Sequence, residues 1–167
     1  KEFNLKSSDY SDEYLLKNAK DATNLFTELV EINSEDIFHF KELNEDADYF
    51  YSAYVNPAFL SSFLYKNKEY KESHKILELR KKFLEDILNK NKDFFDKDPF
   101  KKNFTTNALA FTENSLILTK EKLGYPTDEI TIGWRNLYKK FKNNTNLLID
   151  RVYKVLSLYE YDLATTL

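Results

Sequence analysis

Residues 130–159 read ITIGWRNLYKKFKNNTNLLIDRVYKVLSLY, and their apolar side chains recur mostly at intervals of three and four residues. The members of this stripe are Ile130, Trp134, Leu137, Phe141, Leu148, Val152, Val155 and Tyr159. The spacing predicts a single α-helix of about thirty residues, whose polar gap falls at Asn144 or Thr145. Because such a helix needs partners of similar length to bury its stripe, the sequence predicts an all-α fold, an elongated up-and-down bundle of four or five long helices.

Helical periodicity also predicts the organisation of the preceding residues. It predicts helices over about 9–33 and 34–55, a helical stretch over 57–95, a loop at 96–102 around Asp98-Pro99, and a helix over about 105–123. The chain contains no Gly/Ser-rich or Pro-rich linker. We therefore expect residues 1–167 to form a single domain.

Three helix boundaries need local arguments. At Asn56-Pro57 the asparagine can cap a new helix that has proline at its first position, or the proline can kink one continuous helix. Lys66-Asn67-Lys68 is a candidate break in the stretch 57–95. Gly124 suits the end of a helix, and Pro126 would prevent its continuation, so the last helix is expected to begin at Thr127.

The composition excludes several classes of protein. Two Gly and three Pro are too few for the turns of an all-β fold, and no glycine-rich phosphate loop can be written with them. The absence of cysteine excludes a disulfide framework, a thiolate nucleophile and a cysteine zinc site. Fourteen Phe and 12 Tyr predict an aromatic-rich core.

Charge is distributed unevenly along the chain. Residues 1–65 hold 5 basic and 13 acidic side chains, whereas residues 66–102 hold 12 and 8. The net charge of −3 argues against general nucleic-acid affinity. The acidic amino-terminal part either complements the basic middle of the bundle or presents an acidic face to a basic partner.

Candidate catalytic and metal-binding residues are few. His39 has Glu35 four residues before it and Glu42 three after it, which is more typical of a surface ion pair than of a metal site without further ligands. His74 is expected in solvent or in helix packing. No Gly-x-Ser-x-Gly motif marks an activated serine. We therefore predict no enzymatic activity, no metal and no cofactor.

Aromatic side chains are densest between residues 49 and 70. The eight rings are Tyr49, Phe50, Tyr51, Tyr54, Phe59, Phe63, Tyr65 and Tyr70. They cannot all face one core stripe of a helix, so they either pack against two neighbouring helices or line a groove for a partner. The candidate partner-binding residues are Tyr49, Tyr51, Tyr54, Phe59, Phe63 and Tyr65.

The same region carries a resemblance to a known family. From Asp48-Tyr49-Phe50 through Tyr65 to Glu69-Tyr70-Lys71-Glu72, tyrosines precede a polar link and a Tyr-Lys-acid step before another long helix. This pattern over residues 48–72 resembles the YiiG-like family of bacterial lipoproteins. The resemblance implies an extracytoplasmic helical bundle, tethered by a lipidated cysteine that has been trimmed away, and it offers no catalytic residues to carry over.

These observations favour a binding protein. We expect a non-enzymatic extracytoplasmic module, from a surface lipoprotein or a secreted factor, that contacts a protein partner through residues 49–70 or through its acidic helices. One alternative is a cytoplasmic immunity or antitoxin-like protein that neutralises a basic partner with its acidic face. Another is the ligand-sensing domain of a membrane receptor. An enzyme is the weakest alternative.

Overall fold

The fold is known from a computed structural model that describes residues 13–14, 16–21, 24 and 47–143, with residues 47–55 described by their helical backbone. Its helices are α1 (Ala47–Lys66), α2 (Tyr70–Lys90), α3 (Lys92–Lys97), α4 (Pro99–Lys122) and α5 (Thr127–Phe141). Residues 13–14, 16–21 and 24 are helical as well, and the described residues contain no strand. The predicted all-α bundle is confirmed. Most of the helices predicted over 9–33 and 34–55 lies outside the described residues.

The connection between α1 and α2 is a tight turn at residues 67–69. One helix passes through Pro57, so Asn56-Pro57 does not begin a new helix. The predicted break at Lys66-Asn67-Lys68 is confirmed: the N–H of Glu69 donates to the carbonyl of Leu64 at 2.9 Å, and Lys68 adopts a φ of 65°. A left-handed residue at a helix end reverses the chain, which brings α2 back alongside α1.

The loop predicted at 96–102 is wrong. The short helix α3 occupies Lys92–Lys97, and Asp98 alone separates it from α4. The Asp98 carboxylate accepts a hydrogen bond from the backbone N–H of Lys101 at 3.0 Å, and Pro99 stands at the start of α4. Because proline suits the first position of a helix and aspartate satisfies an otherwise unpaired N–H, this dipeptide begins a helix here.

The last helix begins as predicted and ends earlier. Gly124 adopts a φ of 79° in the turn after α4, and α5 starts at Thr127. α5 ends at Phe141 and is followed by a turn at 142–143, so the single helix predicted over 130–159 is wrong at this point. The sequence Lys142-Asn143-Asn144-Thr145-Asn146 explains the end, because Asn and Thr have low helix propensity. The stripe residues from Leu148 onward lie outside the described residues.

Neighbouring helices run antiparallel. Ser73 on α2 bonds to Ser61 on α1, while His74 and Arg80 on α2 bond to Thr119 and Thr112 on α4 in reversed order. α2 packs between α1 and α4. The helices α1, α2, α4 and α5 thus run alternately up and down.

Two apolar clusters hold these helices together. The larger cluster joins α2, α3, α4 and α5 and contains Phe83, Leu84, Ile87, Phe95, Leu109, Ala110, Ile117, Ile130, Trp134, Leu137 and Phe141. The smaller cluster joins α1 and α2 to the helical residues 16–21 and contains Ala19, Leu64 and Ile76, with Leu16, Leu60 and Phe63 packed around them. Each buried aliphatic or aromatic side chain stabilises the fold by about 1.5–3 kcal/mol relative to an exposed one. That residues 1–167 form one domain stays a prediction.

Candidate binding groove between α1 and α4

A groove of about 410 Å³ lies between α1 and α4, with α2 behind them. We call it the α1–α4 groove. Its lining residues are Ala58, Ser61, Ser62, Tyr65, Ser73, Leu77, Arg80, Phe111, Ser115, Leu118 and Thr119. The volume falls within the range of about 300–1,000 Å³ that is usual for ligand sites.

Small side chains explain why the groove exists. α1 and α4 both pack against α2, but they contact each other little. At the facing positions α1 presents Ala58, Ser61 and Ser62, and α4 presents Ser115. None of these side chains is long enough to fill the space between the two helices.

The hydroxyl groups behind the groove are already engaged with the backbone. Ser73 Oγ donates to the carbonyl of Ser61 at 2.8 Å, and Ser61 Oγ donates to the carbonyl of Ala58 at 2.9 Å. Thr119 Oγ1 donates to the carbonyl of Leu116 at 2.8 Å. Since each hydroxyl proton is committed to a carbonyl, these oxygens face other groups as acceptors.

Arg80 connects α2 to α4 beside the groove. Its side chain is only 7% exposed, and its Nη1 donates to Thr112 Oγ1 and, at 3.5 Å, to the carbonyl of Ala108. Thr112 Oγ1 donates in turn to the same carbonyl at 2.7 Å. A guanidinium keeps its charge at all physiological pH values, so hydrogen-bond partners are required at such a buried position. Arg80 therefore links α2 to α4 through buried hydrogen bonds.

Apolar side chains border the opening of the groove. On α4, Phe111 is 50% exposed and Leu118 is 36% exposed, and the two lie two helical turns apart on one face. On α1, Tyr65 is half-buried, and its ring meets that of Tyr70 edge to face at a centroid distance of 5.2 Å. Phe59, the sequence neighbour of Ala58, is 71% exposed but does not line the groove. We call Tyr65, Phe111 and Leu118 the groove rim.

The structure separates the six candidate residues of the aromatic segment. Tyr65 lines the groove, whereas Phe59 is exposed and does not line it. Phe63 is half-buried and packs against the smaller apolar cluster, so it belongs to the core side of α1. Tyr49, Tyr51 and Tyr54 lie on α1, but their side chains lie outside the described part of the chain.

Sequence reasoning missed the contribution of α4 to the groove. Along this helix Leu109 and Leu116 belong to a buried apolar stripe, and Leu123 directly after it is half-buried. Phe111 and Leu118 fall outside that stripe, and their position is the feature of the sequence that could have indicated the groove. A pair of large apolar residues on the opposite face of a helix indicates a second contact.

His74 lies at the interface of α2 and α4, next to the groove. Its Nδ1 is 2.9 Å from Thr119 Oγ1, its Nε2 is 3.7 Å from a Glu78 carboxylate oxygen, and its ring centroid is 6.3 Å from that of Tyr125. Burial lowers the pKa of His74 below its usual value; Lys120 lowers it further, and Glu78 opposes the shift. Of the two predicted environments, solvent and helix packing, the structure has helix packing.

Two further findings concern metal ligands and membrane spans. Within the described ranges, no three acidic or histidine side chains come together as metal ligands. In the same part of the chain, no helix combines the length and the apolar character needed to cross a bilayer. His39, Glu35 and Glu42 lie outside the described residues.

Comparisons of the chain with protein-family models, with characterised proteins and with solved structures give no match. The resemblance of residues 48–72 to YiiG-like lipoproteins therefore stays a prediction from the sequence.

Proposed function

We propose that this protein is a non-enzymatic, extracytoplasmic binding module that holds a segment of a protein partner in the α1–α4 groove. The observation that carries the proposal is the groove rim, where Tyr65, Phe111 and Leu118 leave apolar surface exposed around a preformed concavity. The extracytoplasmic location comes from the resemblance to lipoproteins in the sequence.

The rim has the chemistry of a protein-binding site. Aromatic residues next to a pocket are typical binding anchors, because they bury a large area while few of their bonds become fixed. Covering the exposed part of Phe111 would contribute about 25 cal/mol for each Å² removed from water. A matching apolar patch on the partner supplies that cover.

The groove dimensions limit what the partner inserts. Phe111 and Leu118 are seven residues apart, which corresponds to about 10 Å along α4. This distance accommodates two or three apolar side chains of the partner. A backbone N–H group of the same segment can donate to the hydroxyl oxygen of half-buried Ser115, whose own proton is donated to the carbonyl of Phe111.

A small-molecule sensor is the second candidate. The volume of about 410 Å³ favours it, because a drug-sized ligand would fill the groove. In that case the ligand would bind without a protein partner.

Matched variants test the protein-partner proposal. Phe111→Ser removes a rim anchor, and Ser115→Trp fills the groove from a half-buried position. Ile132→Ser is the control, because Ile132 is an equally exposed apolar residue, at 51%, on α5 and away from the groove. Wild type and variants would be used as bait against the envelope and cytosolic fractions of the source cells.

We expect wild type and Ile132→Ser to retain the same protein from the envelope fraction. Phe111→Ser and Ser115→Trp should lose it while their thermal midpoints stay within a few degrees of wild type. Equal retention by all four baits would contradict a role for the groove. Retention from the cytosolic fraction alone would contradict the extracytoplasmic location.

A further inference from the structure

His74 stands between two concave regions of the bundle. Thr119, its partner on one side, lines the α1–α4 groove. Glu78, on its other side, lines a second cavity of about 230 Å³ between α2, α4 and α5, together with Lys120 and Glu129. A change in the charge of this imidazole therefore acts on both regions.

The hydrogen bonds around His74 determine which nitrogen carries the proton. Thr119 Oγ1 gives its own proton to the carbonyl of Leu116, so the proton in the 2.9 Å contact is assigned to His74 Nδ1. In the neutral imidazole Nε2 is then an acceptor, and it faces the Glu78 carboxylate. Acid adds the second proton at Nε2.

Taken together, the groups around His74 disfavour the second proton. Glu78 on α2 attracts it, whereas Lys120 on α4 repels it and burial of the ring opposes any charge. Lys120 is held in place at 3.1 Å by Glu129 on α5 and over the Tyr125 ring at 5.2 Å. At this end of the interface α1 presents Ser61 and Tyr65. Lys120 can move away from a charged His74 only by giving up its contacts with Glu129 and Tyr125.

We propose that His74 makes the corner formed by the end of α4, the turn after it and the start of α5 respond to acid. This α4–α5 corner comprises residues 119–130. Neutral His74 holds the corner against α2 through Thr119. Protonated His74 carries its charge at a position where the side chain is only 18% exposed and faces Lys120, so acid favours a state in which the corner moves off α2, the ring becomes hydrated, and Thr119 moves with the corner at the groove.

The direction with pH follows from the lowered pKa of His74. In the unfolded chain a histidine titrates near 6.5, and in the folded protein His74 titrates lower. As the pH falls, the unfolded state therefore takes up the proton first. The contribution of His74 to the free energy of unfolding is fully present above about pH 6.5 and is lost as the pH falls toward the pKa of His74 in the folded protein. Below that value no further loss comes from this group.

Amide hydrogen exchange measured between pH 7.5 and pH 5 tests the proposal on the free protein. Protection factors, which are corrected for the intrinsic pH dependence of exchange, should fall with acid in residues 119–130 of wild type. His74→Asn should remove this dependence, because its Nδ2 can replace Nδ1 toward Thr119 but cannot gain a charge. His39→Asn is the control at the other histidine of the chain and should behave as wild type.

Two charge variants should shift, in opposite directions, the midpoint pH at which protection of residues 119–130 is lost. Glu78→Gln removes the attraction for the second proton and should move the midpoint to lower pH. Lys120→Gln removes the repulsion and should move it to higher pH, even though it weakens the corner at every pH. Acid-independent protection of residues 119–130 in wild type would overturn the proposal. A loss of protection with acid that persists in His74→Asn would also overturn it. The same holds for midpoints that move in the same direction in both charge variants.

Discussion

Phe59 and Phe63 lie about one turn apart on α1 in different environments. Phe59 is largely exposed, whereas Phe63 packs against Leu64 and Ile76. The sequence could not separate them, because both belong to one dense aromatic segment. Which ring faces the core depends on where α2 crosses α1, and this is a property of tertiary packing.

Alanine variants should separate the two roles. Phe63→Ala should lower the free energy of unfolding by about 1–3 kcal/mol, less than for a fully buried ring, because it leaves a partial cavity in the smaller cluster. Phe59→Ala should change it by less than about 0.5 kcal/mol, as is usual for exposed positions. Urea denaturation measures both. A loss of similar size in the two variants would contradict the environments seen here.

Two Asx-Pro dipeptides show what local sequence decides at the scale of an element. Asp98-Pro99 starts α4, whereas Asn56-Pro57 lies inside α1. Sequence reasoning expected a loop at the first and left a restart open at the second. Both dipeptides have a residue that can cap and a proline that suits a first turn, so their own chemistry cannot distinguish them. The packing of α1 against α2, which involves Leu60, Phe63 and Leu64, outweighs the local preference.

The same two sites offer a matched prediction. Asp98→Ala should destabilise the protein by about 1 kcal/mol, because the backbone N–H of Lys101 loses its acceptor. Asn56→Ala should be neutral or slightly stabilising, since Asn56 is exposed inside a helix and alanine has the higher helix propensity. Thermal unfolding of both variants is the measurement. Destabilisation by Asn56→Ala of a size similar to that by Asp98→Ala would mean that a helix does begin at Pro57.

At the scale of the whole molecule, the apolar stripes predicted the class of the fold but not its concave surface. Trp134, Leu137 and Phe141 are buried as their spacing predicts, and this is enough to require an all-α bundle. The α1–α4 groove arises because α1 and α4 both pack on α2 without filling the space between them. No single helix encodes that space, so the groove residues on α4 became evident only from the packed structure.

Site-specific photo-crosslinking tests the central claim, that the α1–α4 groove binds a protein partner, most directly. A photoreactive phenylalanine analogue would replace Phe111 at the rim or, as control, Ile132 on α5, and the cells of the source would be irradiated. We predict one protein adduct from position 111 and none from position 132. No adduct from position 111, or the same adducts from both positions, would contradict the claim.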